Sequence, residues 1–360
     1  MAGMSTTLPF EAPPTPYLKV DPVRMRHNIR RAADRAESAQ VALRPHVKTH
    51  KCVEVAKLQL AAGAVGITVA TLGEAETFAR HGFDDIFIAY PLWLDDVSAR
   101  RMRDLVELAT LTIGVDSPTG AAAAGKHLGQ RVHALVEIDS GHHRSGVPPQ
   151  EAGSLAETAG RAGLDVRGVF TFPGHSYAPD QVGQAAVDEA QALTEAAESL
   201  RAAGIEPTVV SGGSTPSLTG SDTDVLTELR PGVYVFGDAQ QWELGSMSPD
   251  DIALTCRSTV VSHSGGRLVL DAGSKALGAD RASWATGYGR LLEHPEARIV
   301  LLSEHHAVAD LGGAPLPPIG SRVDVVPNHV CNAVNLVDAL HVEDAGVLTV
   351  WPVVARGQNG

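Results

Sequence analysis

Short apolar runs rich in β-branched residues alternate with stretches of helical periodicity through the first two thirds of the chain. The helical stretches lie at 52–62, 73–81, 95–109, 149–163 and 183–203, and the eight apolar runs at 41–46, 66–70, 85–89, 111–115, 133–138, 166–170, 207–211 and 232–236. Alternating strands and helices are typical of a parallel sheet. Eight such units predict an α/β fold with a closed (β/α)8 TIM barrel, and an open doubly wound sheet is the alternative.

After residue 245 the pattern changes, because β-rich runs follow one another with little helical periodicity between them. These runs lie at 257–262, 267–271, 297–302, 322–326 and 347–354, separated by turns rich in glycine, proline and histidine. This pattern of β-rich runs and turns favours a second, mostly antiparallel β domain. We predict a barrel domain over 22–245 and a β domain over 246–360 that includes 1–21, with 15–21 as a candidate strand.

Composition limits the partners that the chain can have. There are 29 basic and 42 acidic side chains, so the formal net charge is −13 and polyanions such as nucleic acids are repelled. No apolar run reaches the ~18 residues of a membrane span, and the first residues lack the features of a signal peptide. The three cysteines, Cys52, Cys256 and Cys331, fit a reducing compartment. We expect a cytoplasmic protein that binds neither nucleic acid nor membranes.

A cluster of titratable side chains follows the first predicted strand, in the run 44–51 (RPHVKTHK). Residues directly after barrel strands line the catalytic face of such folds. Lys48 at this position can form a Schiff base with a carbonyl cofactor, or act as a base once its pKa is lowered. A solvated basic loop is the alternative. The cations of Arg44, Lys48 and Lys51 can also hold a small phosphorylated ligand on an otherwise acidic protein.

A loop of small residues follows the seventh predicted strand, at 211–217 (SGGSTPS). Small residues let backbone N–H groups approach an anion, and the hydroxyl groups add donors. Barrel loops after strands seven and eight often bind phosphate. The loop therefore predicts a phosphorylated ligand, although a flexible connection has the same composition.

Histidine is frequent, with 15 residues, and one histidine stands two positions from a cysteine in the run 327–331 (PNHVC). If this run is a strand, His329 and Cys331 point to the same face and can bind one metal ion. A nitrogen and sulfur pair suits zinc. Two protein ligands would leave coordination positions for substrate and water, whereas a buried pair without metal is the alternative.

Other residues beside the predicted strands are weaker candidates. Arg144 follows the fifth strand and can orient a ring oxygen of a ligand or the side chain of Lys48. A salt bridge at the rim of the barrel is the alternative. The run 174–177 (GHSY) follows the sixth strand and is either a donor to a ligand or a turn. Glu228 and Arg230 flank the eighth strand. Ion pairs at the end of the barrel would account for both residues without a functional role. The pair at 305–306 is a candidate support for the metal, or a surface loop.

Six motifs of the chain together resemble the D-serine dehydratase and D-threonine aldolase family of pyridoxal-phosphate enzymes, which are related to alanine racemase. They occur in order over about residues 15 to 355: Lys48 within RPHVKTHK, GHSY at 174–177, SGGSTPS at 211–217, ELRPGVYVFGD at 228–238, DAGSKAL at 271–277 and PNHVCNAVNL at 327–336. The resemblance implies a fold type III architecture, in which a barrel precedes a β domain.

The resemblance also implies roles for individual residues. Lys48 would carry pyridoxal 5'-phosphate, and His329 with Cys331 would hold a divalent metal beside the β-hydroxyl group of an amino-acid substrate. The backbone of Gly212, Gly213, Ser214 and Thr215 would cradle the phosphate, with cofactor contacts from Arg144, His175, Tyr177, Ser211 and Arg230. Zinc is the expected metal, with manganese and magnesium as alternatives, and a homodimer is expected.

Three functions are compatible with this resemblance. In a dehydratase, Lys48 removes the Cα proton and the β-hydroxyl group leaves with the help of the metal, giving an oxo acid and ammonia. In an aldolase, the β-hydroxyl group is deprotonated and the Cα–Cβ bond breaks, giving glycine and an aldehyde. The third function is that of a non-catalytic carrier of the cofactor. The β domain and the metal pair count against it, because a carrier needs neither. The His-x-Cys pair resembles the dehydratase branch, so we expect a lyase acting on D-serine or 3-hydroxyaspartate, with D-threonine aldolase as the alternative.

Overall fold

The computed structural model describes residues 13–360, which form 17 strands and ten helices. The strands are β1 (Tyr17–Val20), β2 (Ala42–Leu43), β3 (Ile67–Val69), β4 (Asp85–Pro91), β5 (Thr110–Val115), β6 (His133–Glu137), β7 (Asp165–Phe170), β8 (Val209–Gly212), β9 (Glu228–Leu229), β10 (Leu254–Ser264), β11 (Arg267–Leu270), β12 (Gly289–Leu291), β13 (Arg298–Leu302), β14 (Ala307–Asp310), β15 (Arg322–Pro327), β16 (Ala339–Asp344) and β17 (Val347–Pro352). The helices are α1 (Pro22–Ser38), α2 (Val53–Ala61), α3 (Leu72–Arg80), α4 (Asp96–Leu105), α5 (Pro118–Leu128), α6 (Ala152–Arg161), α7 (Val182–Ala202), α8 (Ala239–Glu243), α9 (Ser274–Leu277) and α10 (Val330–Asn335).

The chain divides into two units. The barrel unit contains residues 31–48, 56–232 and 358–360, and the sheet unit contains residues 13–30, 49–55 and 233–357. The division falls at 232/233 rather than at the predicted 245/246, because the segment from 233 onward bonds within the sheet unit. Asn28 donates to the carbonyl of Val235, and Ala253 N–H donates to the carbonyl of Phe236. No helix among residues 13–360 is long and apolar enough to span a membrane.

Eight parallel strands form the barrel unit, in the order β2-β9-β8-β7-β6-β5-β4-β3. The two end strands also meet, because Val65 N–H donates to the Leu43 carbonyl and a parallel bridge joins His46 to Thr68. The sheet therefore curls into a barrel, and the predicted (β/α)8 architecture is confirmed. Helices on the outside begin at side-chain caps such as Thr71, Asp95 and Ser117, whose oxygens accept backbone N–H groups of the first turn.

The eighth barrel strand is shorter than predicted and lies earlier in the chain. It is β9 at Glu228–Leu229, whereas the apolar run 232–236 holds a 3-10 turn at Val233–Val235. Pro231 has no N–H group to continue a strand ladder. A short apolar run is also compatible with any buried element, and its hydrophobicity alone does not identify a strand.

The sheet unit contains a nine-stranded sheet with the order β13-β14-β11-β10-β1-β16-β17, to which β15 and β12 add through β10. All pairs are antiparallel except that of β1 with β16. The N-terminal candidate strand is present as β1, which pairs with β10 through Tyr17 to Val20. The mostly antiparallel second domain is confirmed, and β12, β14 and β16 add to the strands predicted from sequence.

Close backbone packing occurs inside the barrel where β7 meets β8. The register of β7 shifts before Gly168, which has φ of +153°, and a Cβ atom there would lie 1.9 Å from the carbonyl oxygen of Val209. The side chains of Phe87, Leu135 and Phe170 pack nearby, with the two phenylalanine ring centroids 5.0 Å apart. Glycine at 168 thus allows β7 and β8 to pair beside this apolar cluster.

We predict that Gly168→Ala destabilises the barrel unit, because the new methyl group meets backbone that cannot move without breaking strand pairs. The expected loss is about 3 kcal/mol in the free energy of unfolding. The control is Gly160→Ala on the exposed face of α6, where nothing lies within 4 Å of the new Cβ, and the expected gain is at most about 1 kcal/mol. Denaturant unfolding of both variants gives the comparison, and equal stabilities would contradict this account of Gly168.

Candidate active site

A cavity of about 470 Å³ lies in the barrel unit at the carboxyl ends of the strands. Its lining includes Lys48 after β2, Glu137 at the end of β6 and Arg230 after β9. The remaining lining residues are His46, Ala70, Ala89, Tyr90, Pro91, Arg144, Ser145, Phe170 and Phe172. This is the end of the barrel at which enzymes of this architecture place their chemistry.

Lys48 stands in a 3-10 turn, Val47–Thr49, directly after β2. Its Nζ lies 5.8 Å from the centroid of the Phe172 ring, and the guanidinium carbon of Arg144 lies 5.2 Å from the same centroid. The ring of Phe172 also packs against His142 and Tyr177, at centroid distances of 5.7 and 6.0 Å. The sequence analysis missed Phe172, which brings the two cations to one aromatic wall of the cavity.

Arg230 is buried and its hydrogen bonds are satisfied inside the barrel unit. Its Nε donates to Ser211 Oγ over 2.7 Å, and its Nη2 donates to the carbonyl of Thr171. The guanidinium also lies 5.4 and 5.3 Å from the ring centroids of Phe87 and Phe170. Burial lowers the pKa of Arg230 from its usual value. Glu228 and Arg230 were the two weaker candidates beside the last barrel strand, and Arg230 is the one that lines this cavity.

Arg44 does not have the role expected for it. Its Nε lies 2.7 Å from Glu228 Oε2, and its Nη1 lies 2.7 Å from Asp85 Oδ1. The expected basic cluster is therefore wrong for Arg44, whose charge is compensated by two carboxylates. Lys51 is also occupied, because its Nζ donates to Asn335 Oδ1 over 2.8 Å within the sheet unit.

The predicted phosphate loop follows β8 and is largely buried. Gly213 N–H donates to Glu189 Oε1 over 2.6 Å, and Ser214 N–H donates to Ser217 Oγ over 3.0 Å. Ser214 Oγ also lies 2.8 Å from Ser176 Oγ, so the loop meets the turn that contains GHSY. Two of the backbone groups expected to face a phosphate thus have partners within the barrel unit, and Glu189 was missed from the sequence.

The loop nevertheless has the shape that a phosphate group requires. Gly213 has φ of +81°, and a Cβ there would lie 2.9 Å from Leu229 Cδ2. A polar atom nearby also lacks a partner. Nε2 of His175 lies 3.2 Å from Asp188 Oδ2, whereas its Nδ1 is buried with no hydrogen bond among the described residues. An anionic group can satisfy such an atom, so the residues present fit the phosphorylated cofactor.

Glu137 is a further acidic residue in the cavity that the sequence analysis missed. Its Oε1 accepts a hydrogen bond from Ser145 Oγ over 2.8 Å, and its Oε2 is buried without a partner among residues 13–360. Burial raises the pKa of Glu137, while Ser145 and Arg144 act in the opposite direction. Its position at the end of β6 is the signal that would have identified it, since the same rule selected Lys48.

The metal pair lies in the sheet unit, and its expected strand conformation is wrong. Strand β15 ends at Pro327, His329 precedes α10 with extended backbone, and Cys331 lies in the first turn of that helix. The two side chains still interact. Burial opposes protonation of His329, but Cys331 and Asp280 outweigh it and raise the pKa of His329 well above its usual value.

The chemistry of this pair fits a divalent metal with open coordination positions. His329 Nδ1 lies 2.6 Å from Asp280 Oδ2, an interaction that orients the ring and leaves Nε2 for a metal. Cys331 Sγ lies 3.3 Å from Thr49 Oγ1. The described part of the chain contains no cluster of three or more His, Cys, Asp or Glu side chains suited to a metal. His329 and Cys331 are the two side chains here that could hold such a metal.

Comparisons with known proteins cover nearly the whole chain. Residues 20–240 match the family model of the alanine racemase N-terminal domain, and residues 253–343 match that of a putative serine dehydratase domain. The D-threo-3-hydroxyaspartate dehydratase of Delftia sp. is 36% identical over an alignment of 351 positions, gaps included, which covers 88% of this chain and 90% of that protein. The 3-hydroxy-D-aspartate aldolase of Paracoccus denitrificans is 33% identical over an alignment of 366 positions, gaps included, which covers 96% of this chain and 92% of that protein.

Solved structures show the same similarity. The Delftia dehydratase has a TM-score of 0.85 and 33% identity, covering 94% of this chain and 97% of its own. The D-threonine aldolase of Filomicrobium marinum has a TM-score of 0.85 and 29% identity, covering 96% and 97%. D-threo-3-hydroxyaspartate dehydratase has also been solved as a histidine-to-alanine variant and, in a metal-free form, as a cysteine-to-alanine variant. The two substituted positions are two residues apart, as His329 and Cys331 are here.

Proposed function

This chain belongs to the family of pyridoxal-phosphate-dependent lyases that join an alanine racemase N-terminal domain to a serine dehydratase domain, and we propose that it dehydrates a D-β-hydroxy-α-amino acid. The substrates we assign are D-threo-3-hydroxyaspartate and D-serine, and the products are an oxo acid and ammonia. The observation that carries the proposal is the cavity at the carboxyl face of the barrel, with Lys48 on its wall.

Lys48 is the residue that we assign to the cofactor and to the Cα proton. Pyridoxal phosphate, when bound, supplies the electron sink that stabilises negative charge at Cα of the substrate. Lys48 Nζ would hold the cofactor and, as a free amine, would take the Cα proton. Phe172 lies beside both Lys48 and Arg144, which supports a role for its ring as a wall for the cofactor and for Arg144 in orienting it.

The other cofactor contacts that we propose lie around the phosphate loop. Ser211, Gly212, Gly213, Ser214 and Thr215 would surround the phosphate. His175 supports this assignment through its buried Nδ1, which has no partner among the described residues. Tyr177 shares the turn Gly174–Tyr177 with His175, and Arg230 would face the ring from the floor of the cavity.

His329 and Cys331 are the residues that we propose to hold a divalent metal. Such a metal supplies Lewis acidity to the poor leaving group, the β-hydroxide. Zinc is favoured because the pair offers imidazole nitrogen and thiolate sulfur, and manganese and magnesium are alternatives. The metal-free cysteine variant of the similar dehydratase supports this assignment.

Aldol cleavage is the second candidate, because a 3-hydroxy-D-aspartate aldolase is 33% identical across 96% of this chain. We favour dehydration because the His-x-Cys spacing agrees with the histidine and cysteine variants of the dehydratase. We further propose a cytoplasmic homodimer. The exposed Tyr90 near the end of β4 and the exposed Trp93 after this strand support an interface, and the three cysteines, which form no disulfide, fit a reducing compartment.

We predict that the holoenzyme with zinc converts D-threo-3-hydroxyaspartate and D-serine to oxo acid and ammonia in equimolar amounts. D-threonine and L-serine serve as controls for the second candidate and for stereochemistry. Ammonia release and mass spectrometry of the products identify the reaction. If glycine and an aldehyde are the main products, the enzyme catalyses aldol cleavage and not dehydration. If none of these amino acids is turned over, the proposed function is wrong.

We predict that a chelator abolishes turnover while pyridoxal phosphate stays bound, and that added zinc restores turnover. His329→Ala and Cys331→Ala should each lower the zinc content by at least about tenfold, because each removes one of two protein ligands. The control is His263→Ala, an exposed histidine of the same unit, for which the zinc content should stay at the level of the unmodified protein. Zinc content per chain is measured by elemental analysis, and a full complement in both ligand variants would contradict this assignment.

A further inference from the structure

Glu189 is a buried acidic residue behind the phosphate loop, on helix α7. Its exposed fraction is 1%, and its two carboxyl oxygens have different partners. Oε1 accepts the N–H of Gly213 over 2.6 Å, and Oε2 lies 3.2 Å from Ser221 Oγ. The partners are thus an amide and a hydroxyl group rather than a cation, which is unusual for a buried carboxyl group.

The conformation of the phosphate loop depends on this carboxyl group. A Cβ atom on Gly212 would lie 2.5 Å from Glu189 Oε1, so the loop approaches the carboxyl group as closely as glycine permits. The next residue, Gly213, has φ of +81° and donates its N–H to the same oxygen. Glu189 therefore fixes the orientation of the first peptide groups of the loop.

Electrostatics makes the charge of Glu189 important for a phosphorylated ligand. A phosphate monoester carries close to two negative charges at neutral pH. The same loop would then hold this anion on one side and an ionised carboxylate on the other. Arg230 is the charged side chain whose field reaches Glu189, and it favours the ionised form. Burial acts more strongly in the opposite direction and raises the pKa of Glu189 to about 7.

The hydrogen bonds around Ser221 accommodate a neutral Glu189. Ser221 Oγ lies 3.2 Å from Glu189 Oε2 and 3.1 Å from the carbonyl oxygen of Ser217. When Glu189 is ionised, the Ser221 hydroxyl can donate to it. When Glu189 is protonated, Oε2 can donate to Ser221 Oγ, which then donates to Ser217, while Oε1 still accepts from Gly213. Both protonation states therefore keep the loop bonded to α7.

We propose that Glu189 is a positioning residue for the phosphate group of pyridoxal phosphate, and that it takes up a proton when the phosphate binds. The inference rests on the proposed cofactor site at Lys48 and the loop 211–215. Binding of the phosphate is then coupled to the uptake of one proton by Glu189. The affinity for the phosphorylated cofactor therefore falls as the pH rises through the ionisation of Glu189. Glutamine has the hydrogen-bonding pattern of the neutral carboxyl group, and it should remove this dependence.

The test measures dissociation constants of pyridoxal phosphate for the full chain freed of cofactor, from pH 6 to pH 8, by fluorescence titration. The variant is Glu189→Gln, and the matched control is Glu198→Gln, an exposed glutamate on the same helix. We expect the dissociation constant of the unmodified protein, divided by that of Glu189→Gln, to rise about tenfold between pH 6 and pH 8, given a pKa of about 7. The same ratio for Glu198→Gln should stay constant.

Two further measurements separate the possible outcomes. Pyridoxal, which lacks the phosphate, should show the same pH dependence in all three proteins, and thermal unfolding should show that each variant is folded. A ratio that does not change with pH would make Glu189 merely structural and would overturn this inference alone. If the unmodified protein binds no pyridoxal phosphate, both the inference and the proposed function fail.

Discussion

The buried guanidinium group of Arg230 is the group on which the geometry of the cavity depends. A buried charge without hydrogen-bond partners costs several kcal/mol, so its acceptors must stay in place. Arg230 donates to the carbonyl of Thr171, which follows β7, and to Ser211 Oγ, which lies in β8 directly before its last residue, Gly212. Phe172 comes directly after Thr171, and Ser211 is the first residue of the phosphate loop. The same two hydrogen bonds therefore position the aromatic wall beside Lys48 and the start of the loop.

A series of polar contacts runs through the interior of the barrel unit, and it begins at Ser211. Ser211 Oγ donates to Glu228, Glu228 contacts Arg44, and Arg44 contacts Asp85. Arg44 thus contacts both acidic side chains, Glu228 and Asp85, whereas Lys48 and Arg144 line the cavity itself.

The sequence was sufficient for the barrel, the second domain and the position of Lys48 at the carboxyl face of the barrel, because alternation of strands and helices is a property of the whole pattern. It failed where a single residue decides the structure: Pro231 ends the last barrel strand early, and His329 lies before a helix rather than in a strand. Phe172, Glu137 and Glu189 were missed for a related reason. An isolated phenylalanine or glutamate has no distinctive spacing, and its role depends on contacts such as the one between Glu189 and Gly213.

Chemical trapping can decide whether Lys48 carries the cofactor in the barrel cavity. Borohydride reduction of the holoenzyme makes the bond between a lysine and pyridoxal phosphate permanent, and peptide mass spectrometry then locates the modified residue. We expect one phosphopyridoxyl group per chain, on Lys48, and none on the Lys48→Ala variant. If Lys48 is unmodified and another lysine, for example the exposed Lys57 of α2, is modified, the assignment of the cofactor to Lys48 is wrong.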